Sequence, residues 1–145
     1  MRPMMAGLLL ATGLVAAALG AGASDPLTRE FLVPVDRVWM VTLAVLAGQG
    51  WGVDDADRTI GAITTKSHRL EREGTGVWSM STRLRLRLAV IPLAEDRTQV
   101  SVESEVFRRE RVLWMERDER VKVVDPARAD ADLEHALLSA IAGAL

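Results

Sequence analysis

The sequence predicts an α+β domain: an antiparallel sheet of four to five strands, with an early helix and a C-terminal helix packed on one face. Apolar and charged residues alternate over 82–90 and again over 99–106, which is typical of half-buried antiparallel strands. Apolar residues recur at helical spacing over 35–48 and over 127–144. One helix therefore precedes the strands of the sheet and the other follows them.

The first 23 residues are expected to be a secretory signal peptide, which leaves 24–145 as a single domain. Arg2 supplies a positive start, Ala6 to Leu19 carries no charge, and residues 21–23 are small, as signal peptidase requires. The alternative is a retained inner-membrane anchor, but the apolar stretch is short against the about 20 residues of a spanning helix. We therefore expect a periplasmic protein with no stable membrane span after cleavage.

Composition restricts the classes of function. The chain has no cysteine, which excludes disulfides and a lipid-bearing cysteine at the start of the mature protein. Its formal net charge of −2 argues against a nucleic-acid-binding protein, since such proteins carry an excess of lysine and arginine.

Residues 24–50 are predicted to form a lead-in and the early helix. Ser24 to Glu30 is polar, and Phe31 to Val33 is a short apolar run. Pro34 fits the beginning of a helix, where its missing N–H costs nothing. The glycine-containing residues 48–50 end the helix. Its apolar stripe is formed by Val35, Val38, Trp39, Thr42 and Leu46.

Residues 51–76 are predicted to hold two short strands, at 51–53 and 60–65. The aspartate-rich segment 54–58 between them is expected to be a turn, because aspartate side chains bond their own backbone. Calcium is the alternative ligand of these aspartates (Asp54, Asp55 and Asp57), but the spacing of an EF-hand loop is absent. Residues 71–76 are charged and contain glycine, which indicates a loop.

The two alternating segments are expected to pair as a hairpin whose connection is 92–98. A slip by one residue would put apolar side chains into water, so one register is favoured. In that register the pairs on the core face are Leu88–Val102 and Leu84–Val106, and those on the other face are Arg87–Glu103 and Arg85–Glu105. Opposite charges across a ladder contribute roughly 0.2–1 kcal/mol each.

The arginine row of the first strand, Arg83, Arg85 and Arg87, could bind an anionic ligand. Its acidic partners Glu103 and Glu105 favour a solvated face that neutralises itself. We therefore expect these side chains to lie in water.

Residues 107–124 concentrate charge around four apolar residues, Val112 to Met115. We predict a strand here, then a turn, with 121–123 pairing again. Neighbours in a strand point to opposite faces, so one apolar pair is expected to stay exposed unless the C-terminal helix or a loop covers it. Arginine, tryptophan and methionine are enriched at protein interfaces. The predicted partner surface consists of Arg109, Arg111, Leu113, Trp114 and Met115.

The C-terminal helix is predicted to begin with Asp125 as its N-cap and Pro126 at its first position. Apolar residues then fall every fourth position, which predicts an amphipathic helix laid on the sheet. These residues are Leu133, Leu137, Ile141 and Leu145.

No motif of catalysis or cofactor binding is present. His68 lies near Lys66 and Arg69, and His135 lies beside Glu134 on the polar side of the last helix, so both are expected at the surface. A zinc site is not indicated, because the chain lacks cysteine and HExxH spacing. The segment 74–76 is too short for a phosphate loop and lacks its lysine. We expect no enzyme, no cofactor and no metal.

Three segments resemble the repeat unit of the BamC family, whose namesake is a lipoprotein of the outer-membrane β-barrel assembly machinery. They are Val33-Pro34-Val35-Asp36-Arg37-Val38-Trp39, Gly50-Trp51-Gly52-Val53-Asp54-Asp55-Ala56-Asp57 and Gly61-Ala62-Ile63-Thr64. The resemblance implies a helix-grip fold and a periplasmic, envelope-associated role. This chain departs from the family in having no lipid-bearing cysteine, one domain instead of two, and no extended N-terminal segment.

Two functions follow as expectations. The first is a non-enzymatic periplasmic protein that binds another envelope protein, as an accessory module of outer-membrane assembly. The alternative is a carrier of a small apolar ligand in a cavity between the sheet and the C-terminal helix. That cavity would be lined by Leu84, Leu86, Leu88, Val100, Val102, Leu137 and Ile141. A packed core opposes the carrier, and a cavity of roughly several hundred Å³ supports it.

Overall fold

The computed structural model describes residues 26–120 and 129–145, so the expected signal peptide lies outside the described residues. Within them the chain forms two helices and seven strands in an α+β arrangement. In chain order these are β1 (Leu27–Phe31), α1 (Val35–Gly48), β2 (Val53–Asp57), β3 (Ala62–Thr65), β4 (His68–Glu73), β5 (Trp78–Ala94), β6 (Arg97–Val112), β7 (Met115–Arg120) and α2 (Ala129–Ala144).

The described strands pair antiparallel throughout, in the order β1-β6-β5-β3-β2, with β4 also on β5 and β7 also on β6. The predicted class is therefore confirmed, with one early and one C-terminal helix. The predicted count was four to five strands, whereas the sheet formed by the described residues has seven. The count differs because β5 and β6 run further than predicted and take up an additional partner strand each.

The predicted hairpin register is confirmed. Residues 95–96 form a tight turn, in place of the predicted connection over 92–98. The register pairs Leu88 with Val102, Leu84 with Val106, Arg87 with Glu103 and Arg85 with Glu105. Burial of alternate residues against the helices thus selected the pairing, as the pattern of the sequence required.

The pair Leu86–Ser104 divides this hairpin into two halves. Neither residue is paired with an outer strand. On β5, the pairing with β4 covers 80–84 and the pairing with β3 covers 87–89, so Leu86 lies between them. On β6, the pairing with β1 covers 98–102 and the pairing with β7 covers 107–112, so Ser104 lies between them. Side chains satisfy the two open N–H groups. The Leu86 N–H donates to Thr65 Oγ1 at 2.9 Å, and the Ser104 N–H donates to Glu134 Oε1 at 2.8 Å. We call residues 86–104 the proximal half, and residues 78–85 with 105–112 the distal half.

The helices cover the proximal half. From α1 the buried side chains are Val38, Trp39, Thr42 and Leu46, and α2 contributes Leu137, Leu138 and Ile141. They meet Leu86, Leu88, Val90, Val100 and Val102 of the sheet in one core cluster. Glu134 is buried here as the acceptor for Ser104, which corrects its predicted place on the polar side of α2. In the part of the chain that the structure describes, neither helix is long and apolar enough to cross a membrane.

The boundaries of α1 are those predicted, since it begins after Pro34 and its C-terminal end carries a glycine with positive φ, Gly50. The N–H of Trp51 donates back to the carbonyl of Leu46 at 2.9 Å, a bond typical of a helix ending at glycine. The predicted N-cap of α2, Asp125-Pro126, and the predicted strand 121–123 lie outside the described residues.

The edge strands were predicted wrongly. The predicted turn 54–58 lies largely in β2, the predicted lead-in contains β1, and part of the predicted loop 71–76 belongs to β4. Edge strands expose most of their side chains, so their sequences lack the alternation that marks a half-buried strand. The turn itself falls at 58–61, where the Thr59 N–H donates to Asp57 Oδ1 at 2.9 Å. Gly61 closes it with φ +70°, and an added Cβ would lie 2.2 Å from the carbonyl oxygen of Val90.

Candidate functional site

The distal half extends beyond the helices and ends in a tight turn at Leu113-Trp114. The prediction of an apolar pair on each strand face was wrong, because these two residues form the turn between β6 and β7. Val112 pairs with Met115 across it, and the Leu113 N–H donates to the carbonyl of Val77 at 2.6 Å. All four residues are exposed, Trp114 most of all at 83%. The expectation that an apolar pair stays exposed therefore holds for both pairs.

Two further apolar residues adjoin this turn, and the sequence analysis missed them. Trp78, the first residue of β5, pairs with Val112, and Val77 precedes it in the chain. Val77 and Trp78 are both exposed. The signal was present, since the alternation of 82–90 continues back through Met80 to Trp78. We call this surface the apolar tip, and it consists of Val77, Trp78, Val112, Leu113, Trp114 and Met115.

The apolar tip has a defined conformation. The indole N–H of Trp78 donates to Glu110 Oε1 at 2.9 Å. The Trp78 ring lies against Gly74, where an added Cβ would come within 2.5 Å of it. Leu113 has φ 55°, a left-handed conformation that costs a residue other than glycine roughly 1–2 kcal/mol. Asparagine or glycine would relieve that strain in a two-residue turn, so the stability of the fold does not explain a leucine here.

Of the two predicted arginines, only Arg111 adjoins the tip. Its Nε donates to the carbonyl of Leu113 at 3.1 Å. Arg109 lies one step further along the strand face opposite the helices, where it binds Asp118 with Nε at 2.7 Å and Nη2 at 3.0 Å. Glu116 lies 3.8 Å from the same guanidinium group. The structure thus brings together Arg111, Leu113, Trp114 and Met115, and it places Arg109 in a neighbouring ionic cluster.

This cluster shifts the titration of its members. The hydrogen bond from Arg109 holds the pKa of Asp118 below its usual value, against the opposing effect of burial. The same bond raises the pKa of Arg109. Both groups are therefore charged across the whole physiological pH range.

The arginine row of β5 is not uniformly solvated, which corrects the prediction. Glu105 is only 9% exposed, and its Oε2 accepts from Arg85 Nε at 2.6 Å and lies 3.2 Å from Arg87 Nε. Phe107 is buried on the same face beneath the guanidinium group of Arg85, whose carbon lies 4.8 Å from the ring centre. Arg85 and Arg87 thus share one buried carboxylate, and Arg87 forms its ion pair with Glu105 in place of the predicted Glu103. Arg83 belongs to a different environment, because it donates to Ser67.

Neither histidine forms part of a reactive cluster that we can identify in the described residues. His68 is exposed and stacks on Trp51, with ring centres 4.0 Å apart and planes 6° from parallel. His135 is exposed on α2. Asp54, Asp55 and Asp57 lie exposed along β2, and within 26–120 and 129–145 no three histidine or carboxylate groups converge as metal ligands do.

The side chains predicted to line a carrier cavity pack against one another. Leu86, Val100, Val102, Leu137 and Ile141 are fully buried in the core cluster, and Leu84 packs at its margin. An apolar pocket of about 310 Å³ lies elsewhere, between the N-terminal end of α1 and the turn at 58–61. Its lining includes Val35, Trp39, Ile60, Val90 and Ile91.

Comparison with known proteins adds little. No protein-family model matches the chain, and no curated sequence is significantly similar to it. Among solved structures, a TBP-like protein from Parabacteroides distasonis is similar, with a TM-score of 0.44 and 10% sequence identity. The similarity covers 83% of this chain and 94% of that one. A likeness of this size carries no information on function.

Proposed function

We propose that this protein is a non-enzymatic module of the bacterial periplasm that binds another envelope protein through the apolar tip, as an accessory to outer-membrane assembly. The observation that carries the proposal is the exposure of Trp114 at the end of a hairpin that projects past the helices. The signal-peptide pattern of residues 1–23 supports the compartment, and the BamC-like segments support the envelope role.

The composition of the apolar tip supports a protein partner. Two tryptophans, a methionine and Arg111 lie together there, and these residue types are enriched at interfaces and among the residues that dominate binding energy. Isolated exposed apolar residues are ordinary, whereas a contiguous apolar patch is typical of interaction sites. The conformation of the tip is fixed by the Trp78–Glu110 and Leu113–Val77 hydrogen bonds, so little ordering is required on binding.

The proposal is tested by site-specific photo-crosslinking in living cells. A photoreactive residue at position 114 should capture one envelope protein, identified by mass spectrometry. The same residue at position 93, exposed at the opposite end of the hairpin, is the control and should capture none.

A double variant, Leu113→Ser with Trp114→Ser, should lose this partner while its free energy of unfolding changes by no more than about 0.5 kcal/mol, because both side chains are exposed. The matched control is Ile91→Ser with Leu93→Ser, which removes an exposed apolar pair at the other end of the hairpin. Equal capture at positions 93 and 114, or an intact complex with the folded double variant, would contradict the proposal.

The carrier alternative now depends on the pocket beside α1, because the predicted lining is part of the packed core. Its volume of about 310 Å³ lies at the small end of ligand sites, roughly 300–1,000 Å³. The two functions separate under one measurement. A carrier purified from the periplasm yields a stoichiometric apolar compound on solvent extraction, and Ile60→Asp at the pocket abolishes it without affecting crosslinking at position 114.

A further inference from the structure

A groove rich in arginine lies on the face of the distal half opposite the helices. It crosses four strands, with Arg69 and Arg72 from β4, Ser79, Ser81 and Arg83 from β5, Arg111 from β6, and one residue from β7. Arg109 and Glu116 complete its wall. We call it the arginine groove.

The backbone register places two arginines of this groove directly against each other. Arg69 of β4 is the cross-strand partner of Arg83 of β5. Like charges in directly opposite positions destabilise a ladder. Burial, together with the charges of Arg109 and Arg69, also lowers the pKa of Arg83. The folded chain therefore holds these guanidinium groups together against their repulsion.

Other arginines on the same face have carboxylate partners, which most arginines of the groove lack. Arg85 and Arg87 share Glu105, and Arg109 binds Asp118. Arg83, by contrast, donates to the hydroxyl and carbonyl of Ser67, which are neutral. Among the side chains that the structure describes, no carboxylate lies within ion-pair distance of Arg69, Arg72, Arg83 or Arg111. Among the described residues that line the groove, five arginines thus face one carboxylate, Glu116, while Asp118 binds Arg109 and Asp54 lies in the adjoining pocket.

From this juxtaposition we infer that the arginine groove binds a phosphate group. The planar fork of arginine matches phosphate with paired N–H donors, and the hydroxyls of Ser79 and Ser81 add donors of the kind that phosphate oxygens accept. The volume of the groove is about 90 Å³, so the groove accommodates only a compact group. The inference does not depend on the protein-binding role of the apolar tip.

The phosphate is carried by a larger polar molecule. A second pocket of about 300 Å³ is separated from the groove by Arg83 and Arg109, which line both. Its other walls carry Thr65, Lys66, Ser67 and Arg85, together with one carboxylate, Asp54, and the ring of Phe107. A small phosphate monoester and a phospholipid headgroup both have this chemistry, and the experiment separates these two sources.

The test is calorimetric titration of the purified protein at constant ionic strength, with sodium chloride as the reference. The soluble probes are inorganic phosphate and glycerol 3-phosphate. The membrane probe is a phosphatidylcholine vesicle with or without phosphatidylglycerol, assayed by co-sedimentation. Binding of the soluble probes identifies a free phosphate ester as the source. Binding only to vesicles that contain phosphatidylglycerol identifies a headgroup.

The variants carry opposite expectations. Arg83→Gln and Arg69→Gln should each weaken binding at least tenfold, while Glu116→Gln, which removes a competing carboxylate, should strengthen it. Arg108→Gln is the matched control, since it removes the same charge from β6 but on the other face, and it should change affinity less than twofold. Arg69→Gln should keep or raise the melting temperature in the absence of phosphate, because it removes repulsion; a purely structural arginine would lower it.

Three results would overturn the inference. The first is that neither soluble probe nor vesicle binds above the chloride reference. The second is that Arg69→Gln, in its folded form, binds as well as Arg108→Gln. The third is vesicle binding that persists in Arg83→Gln but is lost when Leu113 and Trp114 are changed to serine, which would place the membrane contact at the apolar tip.

Discussion

The proximal and distal halves of the long hairpin are continuous in sequence, yet they have different surroundings. In the proximal half, the face towards the helices is fully apolar and buried, from Leu86 to Val90 and from Val100 to Val102. In the distal half, the same face passes from partly buried Leu84 to exposed Trp78 and Val112. On the opposite face, Arg85 and Arg87 share the Glu105 carboxylate near the boundary, and Arg109 further out binds Asp118, whereas Arg83 donates only to the neutral Ser67.

The difference marks the position along β5 and β6 beyond which their side chains are no longer buried by the helices. Leu86 and Ser104 form the last pair beneath the helices, and α2 and β3 each supply a side chain that satisfies an open N–H there. Beyond that pair the sheet is supported by β4 and β7 alone. Apart from Leu84, which packs at the margin of the core, the apolar residues of the distal half lie outside the core cluster, and this is where both proposed binding sites lie.

The largest effect should come from truncation in the proximal half. Leu86→Ala should lower the free energy of unfolding by roughly 2–5 kcal/mol, because Leu86 is fully buried beneath both helices. Val112→Ala, on the same face of the distal half, should cost below about 1 kcal/mol, since Val112 is exposed. Urea denaturation measures both. Similar costs for the two variants would mean that the helices do not mark a boundary in stability.

The second effect concerns the acidic residues that face the arginine row. Glu105→Gln should destabilise the fold by about 1–3 kcal/mol, because it removes the buried acceptor shared by Arg85 and Arg87. Glu103→Gln is the matched control on the same strand face and should cost below about 1 kcal/mol, because Glu103 is less buried. Thermal unfolding at neutral pH compares them. A loss of stability in Glu103→Gln as large as that in Glu105→Gln would show that the two carboxylates contribute equally, as the sequence predicted.

The smallest effect is expected in the distal half, at Asp118. The folded chain lowers the pKa of this carboxyl group through its hydrogen bond with Arg109, so the charged form favours folding. Its contribution is complete above the unfolded-chain value of about 3.9 and is lost as the pH falls from there through the lowered folded-state pKa. The pair is exposed, so the difference should stay below about 1 kcal/mol.

Unfolding measured between pH 2 and pH 6 tests this expectation. Asp118→Asn should be less stable than the parent chain near pH 6 and should approach it at pH 2. A difference that is unchanged across this range would show that the Asp118 carboxylate does not act through its charge.

Much of the proximal half could be predicted from the sequence. Period-two alternation gave the two strands, and the charges opposite each other gave the register, which the structure confirms. The helix over 35–48 followed from its stripe and from the glycine at its end. The edge strands β1, β2 and β4 could not be predicted, because an exposed strand has no periodic burial to record. The four residues from Val112 to Met115 suggested a strand, and only the cross-strand pairing of Val112 with Met115 shows that a turn lies between them.

The sequence by itself determined which residues alternate, which register they take and that an apolar cluster lies among arginines at 109–115. These are local properties, set by side-chain chemistry over a few neighbouring residues. The tertiary structure decided that Trp78 pairs with Val112, that Arg69 faces Arg83, and that Arg85 and Arg87 share the buried carboxylate of Glu105. The reason is that each of these contacts joins residues that are distant in sequence and meet only when the strands pair.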